Sequence, residues 1–520
     1  YNEVVSIANH LLHLGVKKGD KVAILSANMP NWGITQFAIA NIGAIAVPVL
    51  PGFCSTELQN ILEHAEVKVI FVSRLLAKCL EGVKTPFLEH KILINNFSTI
   101  PEGCYQPEEL DKLVPDISLN NTTPLPEVSI EEEDIASIIY TSGTTGFSKG
   151  VVLTHKNLVW DARQCHTIQP VDETYRFLSI LPMAHTYENT LGLLLPLMFG
   201  AQVYYLDRVP TPKLLVPAMQ KIRPTVVLSV PLIIEKIYKS QVLPKFTSSK
   251  LMSKLYQFAP ARKLFNRLAG KKLMETFGGE LKFFGIGGSK LDGTVEQFLR
   301  EAKFPYAIGY GLTETAPMAA GSNPSQTFLQ GVGPVMEGVQ IKINDPDKSG
   351  QGEIWIKGPN VMKGYYKRPE LTAETFTEDG WFKTGDLGSF DKKNRLAIRG
   401  RIKTMILGAS GENIYPEEIE SIINNFRFVN ESLVVENSGK LVAMVHFNME
   451  ELEKQYQKLK DQAGNYKEKI NDYIEEQKQE LRDYVNARVN NFSKLQLVLV
   501  QHEPFEKTPT HKIKRFLYCK

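Results

Sequence analysis

Residues 138 to 153 read IIYTSGTTGFSKGVVL: an apolar run, a burst of Thr, Ser and Gly closed by Lys149, then a second apolar run. Those residue types suit a polyphosphate. Glycine lets the main chain approach a bound anion, amide and hydroxyl groups donate to its oxygens, and a lysine neutralises its charge. The Walker loop, GxxxxGK followed by Ser or Thr, does not fit, because Lys149 stands between Ser148 and Gly150. An ordinary NTPase is therefore not indicated, and taken alone the stretch could equally be a Ser/Gly-rich surface turn.

The elements around this loop set its context. From Lys21 the chain alternates strand (KVAIL), loop, helix (WGITQFAIANIG), strand (AVPVL), helix and strand (VKVIFVS), which predicts an α/β domain with parallel strands. Residues 101 to 134, rich in Pro, Asn and acid, read as a surface connection. The pattern resumes at Ile135 and runs through TVVLSV (225 to 230) and LKFFGIGG (281 to 288). From about 350, short strands and turns such as GEIWIKG and RLAIRGR suggest a β-rich subdomain, with a domain boundary near 400. Beyond it the sequence predicts a small α+β unit with a hairpin around Asn437 and Gly439. Residues 449 to 489 read as a solvated helical pair, broken near Gly464, with Leu452, Tyr456, Leu459, Ile470, Ile474, Leu481 and Val485 at helical spacing.

Composition bounds the class. At 520 residues the chain is too long for one ordinary core, and 43% hydrophobic with 22% charged residues is the balance of a globular enzyme. A net charge of +3 is too small to argue for nucleic acid. The five cysteines (Cys54, Cys79, Cys104, Cys165, Cys519) are scattered with no CxxC pair, which predicts a reducing compartment and no structural metal. The chain opens at Tyr1 in an already periodic helix, so no signal peptide is expected, and without an initiator Met the natural start could lie upstream. The most apolar runs are short and interrupted by Asn41, Pro48 and Pro196, so no membrane span is expected. Between Lys236 and Lys272 there are ten Lys or Arg residues and no acid, interleaved with Leu, Phe, Tyr and Met. A solvated helix face is the plain reading, and a site touching an anionic membrane surface is the sharper one.

The full pattern YTSGTTGFSKGVVLTHKNL resembles the phosphate-binding signature of the adenylate-forming superfamily, which includes acyl-CoA synthetases, firefly luciferase and the adenylation domains of peptide synthetases. Further signatures of that family follow in order: FFGIGGSKL (283 to 291), GYGLTET (309 to 315), GWFKTGDLG (380 to 388), RGRIKTMILGASGENIYPEEIE (399 to 420) and KTPTHKIKR (507 to 515). The resemblance implies a large ATP- and acyl-binding domain over residues 1–400 and a small mobile domain over 401–520.

It also implies roles. Thr141, Ser142, Gly143, Thr144, Thr145, Gly146 and Lys149 would hold the β- and γ-phosphates. Glu314 would be the Mg²⁺ ligand with Thr141 as its partner, rather than a capping acid in a T-x-x-E turn. Thr313 would reach the α-phosphate; Tyr310 and Gly311 would lie along the adenine opposite Gly287, Gly288 and Ser289. Asp386 would accept the ribose hydroxyls, assisted by Arg401. Lys403 would be the hinge. Lys512 would bridge the substrate carboxylate and α-phosphate, although His511 stands where many members have Gly.

The segment LPMAHTYENTLGLLLPLMFGAQVYYL contains no Asp, and its only acid is Glu188, so an ammonium-bearing substrate is disfavoured. Its apolar residues would suit an acyl tunnel with His185 at the mouth, or equally a buried helix. The helical insertion in the C-terminal region and the basic stretch 236 to 272 look similar to bacterial long-chain fatty acyl-CoA synthetases. The expected reaction is fatty acid plus ATP to acyl-adenylate and pyrophosphate, then attack by CoA to give acyl-CoA and AMP, with Mg²⁺ as cofactor. No carrier domain follows Lys520, so free CoA is the expected acceptor, in a cytoplasmic protein. An aryl or medium-chain acid ligase, or one loading a carrier protein, is the rival within this chemistry. A nucleotide-binding regulator or membrane scaffold that lost the chemistry is the rival outside it, and retention of Thr141, Glu314, Asp386 and Lys512 argues against that.

Overall fold

Strand β1 (Lys21–Leu25) lies at the heart of an eight-stranded sheet in the computed structural model, with β2 (Ile45–Val49) on one side and β3 (Val67–Val72) on the other, both parallel to it. Beyond β3 come β4 (His90–Leu93) and β5 (Ser98–Thr99); beyond β2 come β6 (Ile135–Thr141), β7 (Lys149–Thr154) and the short strand Gly364–Tyr365. The expected parallel order holds in the centre, while β6 and β7 form an antiparallel hairpin with Thr141 opposite Lys149. The structure describes all residues except 54, 118, 120–122, 142–147, 207–209, 248, 408–412, 438, 460–465, 510–511 and 520; residues 247, 250, 413, 455–459 and 466–471 are described by backbone alone.

The sheet's central strands are near-continuous runs of Val, Ile, Ala and Leu because both faces are covered, as parallel sheets require. Helix Asn2–His13 presents Val5, Ala8 and Leu11 inward, three residues at helical spacing. Trp32, Ile39, Leu58 and Leu62 join Ile24, Val47 and Phe71 in one core.

A second sheet has the order β13 (Met318–Gly321), β12 (Tyr306–Gly311), β11 (Phe283–Ile286), β10 (Val226–Ser229), β8 (Arg176–Ser179), β9 (Gln202–Tyr205). All but β13 run parallel. Helix His155–Ile168 leads from β7 toward β8, and its start is fixed by a capping box: the Asn157 N–H donates to the Thr154 hydroxyl at 3.1 Å and the Thr154 N–H to Asn157 Oδ1 at 2.9 Å. Helix Gly293–Glu301 follows β11 and starts where Asp292 accepts from the Thr294 and Val295 amides at 2.8 and 2.9 Å.

The chain forms two compact units: Tyr1–Lys342 with Trp355–Lys383 and Phe390–Ala397, and Ile343–Ile354 with Thr384–Ser389 and Ile398–Lys520. The expected boundary near 400 falls beside the last junction, and two earlier segments also group with the second unit. From 340 onward come the short strands Gln340–Asn344, Gly352–Lys357, Phe382–Phe390 and Leu396–Arg401, the β-rich texture expected there.

In the second unit, Val429–Asn437 and Lys440–Phe447 form the expected hairpin, and Leu497–Val500 joins its edge in parallel. Helices Pro416–Asn424, Met449–Leu459 and Tyr466–Asn486 pack on it, burying Ile419, Ile423, Leu452, Leu481 and Val485. The proposed break at Gly464 lies outside the described residues. Among the described residues, no helix is long and apolar enough to cross a membrane.

Candidate active site

Parallel strands point their carboxyl ends to one edge, where α/β sheets bind ligands. The second sheet follows this rule. Past β8 comes His185, past β11 come Gly287, Gly288 and Ser289, and β12 runs through Tyr310 and Gly311 into a 3₁₀ turn of Thr313–Thr315. Eight residues expected at the site thus belong to one edge of one sheet.

Local chemistry shapes that edge. Gly288 has φ +88°, a left-handed conformation that a glycine adopts without strain. A Cβ on Gly287 would come within 3.2 Å of the Tyr187 ring, so the small residue admits that half-buried aromatic. At Gly311 the constraint is absolute: a Cβ would lie 1.7 Å from the Pro317 carbonyl oxygen. That carbonyl accepts from the Leu312 N–H at 3.0 Å and the Thr315 hydroxyl at 2.5 Å, folding the chain back tightly after β12. His185 caps the next short helix, its Nδ1 accepting from the Tyr187 N–H at 3.2 Å.

The turn presents Glu314, which is 8% exposed. Lys149 Nζ donates to Glu314 Oε1 at 3.1 Å, and the Tyr365 hydroxyl donates to the same oxygen at 2.8 Å. Lys149 also donates to the Tyr365 oxygen at 2.5 Å. An ammonium only donates, so the phenol accepts from the lysine and offers its own proton to the carboxylate. Burial pushes the Glu314 carboxyl up, but the Lys149 charge and the Tyr365 hydrogen bond outweigh it and hold the group below the usual carboxylate range. Glu314 is therefore ionised and held in place by two donors.

Segment 358–366 braces this turn. Asn360 Nδ2 donates to the Thr315 and Met318 carbonyls at 3.1 and 2.5 Å, and the Met362 N–H donates to the Glu314 carbonyl at 2.9 Å. Neither Asn360 nor Tyr365 is singled out by the sequence patterns above. The one signal that could mark them is the run GPNVMKGYY, a glycine-bounded stretch with one Asn and two Tyr beside an otherwise apolar core.

Thr141 ends β6, opposite Lys149 across the hairpin. Its hydroxyl is buried and finds no hydrogen-bond partner among the described residues. An orphaned hydroxyl and an ionised carboxylate are hard oxygen donors of the kind Mg²⁺ takes, so the residues fit the expected ion. Ser142, Gly143, Thr144, Thr145 and Gly146 lie outside the described residues.

The stretch 189–194 is a π-helical turn, and Leu193 with Met183 and Ala184 belongs to the core of the first unit, the packing role expected as one alternative. Glu188 is 1% exposed, and burial raises its carboxyl to about 8 despite hydrogen bonds from Ser179 and the Leu181 amide. It carries a proton at neutral pH.

In the second unit Asp386 is buried and Arg401 Nε lies 2.9 Å from its Oδ1. Thr384 and Gly385 form the turn before it, with the Thr384 hydroxyl accepting from the Asp386 N–H at 3.0 Å and Gly385 at φ +70°. Lys403 is exposed in the turn Ile402–Thr404. Lys512 is exposed on a turn near the C-terminus, and His511 lies outside the described residues.

A lysine that begins β7 is thus paired with a buried, ionised carboxylate from the turn after β12. The family model of the AMP-binding enzymes matches residues 1–366, and the chain belongs to that family. The chain is 26% identical to fatty acyl-CoA synthetase A of Dictyostelium discoideum, over 98% of this chain and 82% of that one. It is 29% identical to the long-chain-fatty-acid–CoA ligase FadD15 of Mycobacterium bovis, over 89% and 79%. Among solved structures, ATP-bound MatB from Rhodopseudomonas palustris superposes with a TM-score of 0.75 at 22% identity, covering 99% of this chain and 91% of that one; at that identity the likeness speaks to the fold.

Proposed function

We propose that this enzyme activates a fatty acid with ATP, forming an acyl-adenylate and pyrophosphate, and then transfers the acyl group to the thiol of CoA with release of AMP. The single observation that carries the chemistry is the Lys149–Glu314–Tyr365 cluster beside the orphaned Thr141 hydroxyl. Mg²⁺, when bound, would supply charge neutralisation on the phosphates. Lys149 donates to the departing pyrophosphate, Thr313 reaches the α-phosphate, and Lys512 bridges the substrate carboxylate and the α-phosphate. Tyr310 and Gly287, Gly288 and Ser289 flank the adenine; Asp386 and Arg401 hold the ribose; rotation at Lys403 exchanges Lys512 for the thiol surface.

Substrate class rests on two supports. The relatives named above are a fatty acyl-CoA synthetase and a long-chain-fatty-acid–CoA ligase. Glu188, proton-bearing and buried, offers no charge for an ammonium, which disfavours amino acids. The deciding assay follows pyrophosphate release and thioester formation across acids of rising chain length, with CoA and a carrier protein as acceptors. Turnover rising toward long chains with CoA is expected; turnover confined to aryl or short acids, or to the carrier protein, overturns the reading.

The basic stretch adds a place of work at the surface of an anionic membrane. Helices Lys250–Gln257 and Ala259–Thr276 leave Leu251, Phe258, Leu264 and Leu268 between 59% and 70% exposed. Lys263, Arg267 and Lys271 stand beside Leu264 and Leu268 at the same helical spacing, while Asn266, Gly270 and Leu273 point inward. Exposed leucines framed by lysines match a lipid interface, where apolar burial and headgroup attraction act together. K263E/R267E/K271E is expected to abolish co-sedimentation with phosphatidylglycerol vesicles; undiminished binding contradicts this reading.

A further inference from the structure

Two hydrogen bonds tie Lys512 to Thr508: the Thr508 N–H donates to the Lys512 carbonyl at 2.8 Å, and the Lys512 N–H donates to the Thr508 hydroxyl at 3.2 Å. Both arms of the turn are anchored. Before it, Lys507 pairs with Glu431 at 2.9 Å. After it, Ile513 packs against the apolar group of Leu433, Val435, Val442 and Phe505. Two residues further, the Arg515 guanidinium meets the buried Glu420 carboxylate, lies 3.7 Å from Glu417, and donates to the Val434 carbonyl at 3.4 Å.

The carboxylates are themselves fixed. Glu420 accepts from the Val434 N–H at 2.7 Å, and Glu417 accepts from the Thr404 hydroxyl at 2.6 Å. Thr404 belongs to the turn that carries Lys403. One guanidinium thus joins the root of the Lys512 turn to a helix that is hydrogen-bonded to the hinge turn. A planar fork can serve two carboxylates and a carbonyl at once; an ammonium offers one point of charge.

We propose that Arg515 is a positioning residue for adenylation: gripped by Glu420 and Glu417, it sets where the Lys512 turn sits, and Thr404 ties the hinge to the same grip. The proposal rests on the role given to Lys512 above. A lysine side chain is long, so its ammonium is placed only as well as its main chain, and a misplacement of about 1 Å can cost about a hundredfold in rate.

The test measures the two half-reactions separately in the full chain: pyrophosphate release from ATP and fatty acid, and thioester formation from preformed acyl-adenylate and CoA. R515A is expected to slow the first about 30- to 100-fold and the second less than about threefold, with R515K recovering part of the loss. The double variant R515A/K512A is expected to be no slower in adenylation than K512A, because Arg515 acts through Lys512. Equal slowing of both half-reactions in a folded R515A, or a double variant slower than K512A, overturns the proposal. Should R515A fail to fold through the unpaired Glu420, T404V replaces it: a selective loss of adenylation supports the grip, and unchanged adenylation overturns it. A fully active K512A overturns the lysine assignment and this proposal together, whereas an inactive K512A beside an unaffected R515A overturns the proposal alone.

Discussion

Lys149 and Glu314 are 165 positions apart in sequence, yet the ammonium lies 3.1 Å from the carboxylate. The first closes the loop between β6 and β7; the second projects from the turn after β12, in a different sheet. This contact links the eight-stranded and the six-stranded sheet of the first unit. Each group serves as the other's counter-ion. The Tyr365 hydroxyl donates to the same carboxylate oxygen at 2.8 Å, a second partner for Glu314 beside the lysine.

Removing the Tyr365 hydroxyl should therefore weaken Glu314 as a ligand without emptying the site. Y365F is expected to lower adenylation about tenfold, consistent with the loss of one charge-assisted hydrogen bond of roughly 1.5 kcal/mol. The concentration of Mg²⁺ giving half-maximal pyrophosphate release should rise. E314Q, by contrast, should abolish adenylation. A Y365F enzyme with unchanged rate and metal dependence would show that the phenol is a bystander.

The turn that presents Glu314 depends on a residue without a side chain. In G311A the new methyl would fall on the Pro317 carbonyl, a main-chain atom that cannot step aside. Urea unfolding should show a loss of about 2–4 kcal/mol, and adenylation should fall with it. Native stability in that variant would mean that the turn has another way to close.

Glu188 makes stability depend on pH. Its folded value of about 8 lies above the ordinary carboxyl value of 4.5, because burial favours the protonated form. Between those limits the unfolded chain releases this proton and the folded chain keeps it, so the contribution is full at low pH and declines as pH rises. The slope from this group is up to about 1.4 kcal/mol per pH unit. E188Q should flatten the decline in unfolding free energy between pH 5 and 8; an unaltered slope would place the carboxyl in water.

Much of this architecture is legible in the sequence. Buried parallel strands announce themselves as continuous runs such as KVAIL and VKVIFV, and the hairpin 429–447 by its alternation around Asn437 and Gly439. Lys149 and Glu314 stand in stretches whose composition, or whose resemblance to a family, marks them. Tyr365 and Asn360 are not legible in the same way, and Arg515, though it ends the stretch KTPTHKIKR, shows no sign there of its carboxylate partners. Each makes two or more hydrogen bonds or ion pairs to residues distant in sequence, from 42 positions for Asn360 and Met318 to 216 for Tyr365 and Lys149, and such contacts leave no period in the sequence. Nor can local pattern assign segments 343–354 and 384–389 to the second unit, since that grouping is set by tertiary packing. The apolar residues around 191–195 read by pattern as core or as tunnel lining, and only burial puts Leu193 in the core.

The central claim is that the carboxylate is activated as an adenylate. Mixing the enzyme with ATP, Mg²⁺ and a long-chain fatty acid, but no CoA, and quenching within one turnover tests it directly. One equivalent of pyrophosphate and one of enzyme-bound acyl-adenylate are expected, and a chase with CoA should convert the adenylate to acyl-CoA and AMP. Formation of ADP and inorganic phosphate, or thioester formation without an adenylate, would contradict the account.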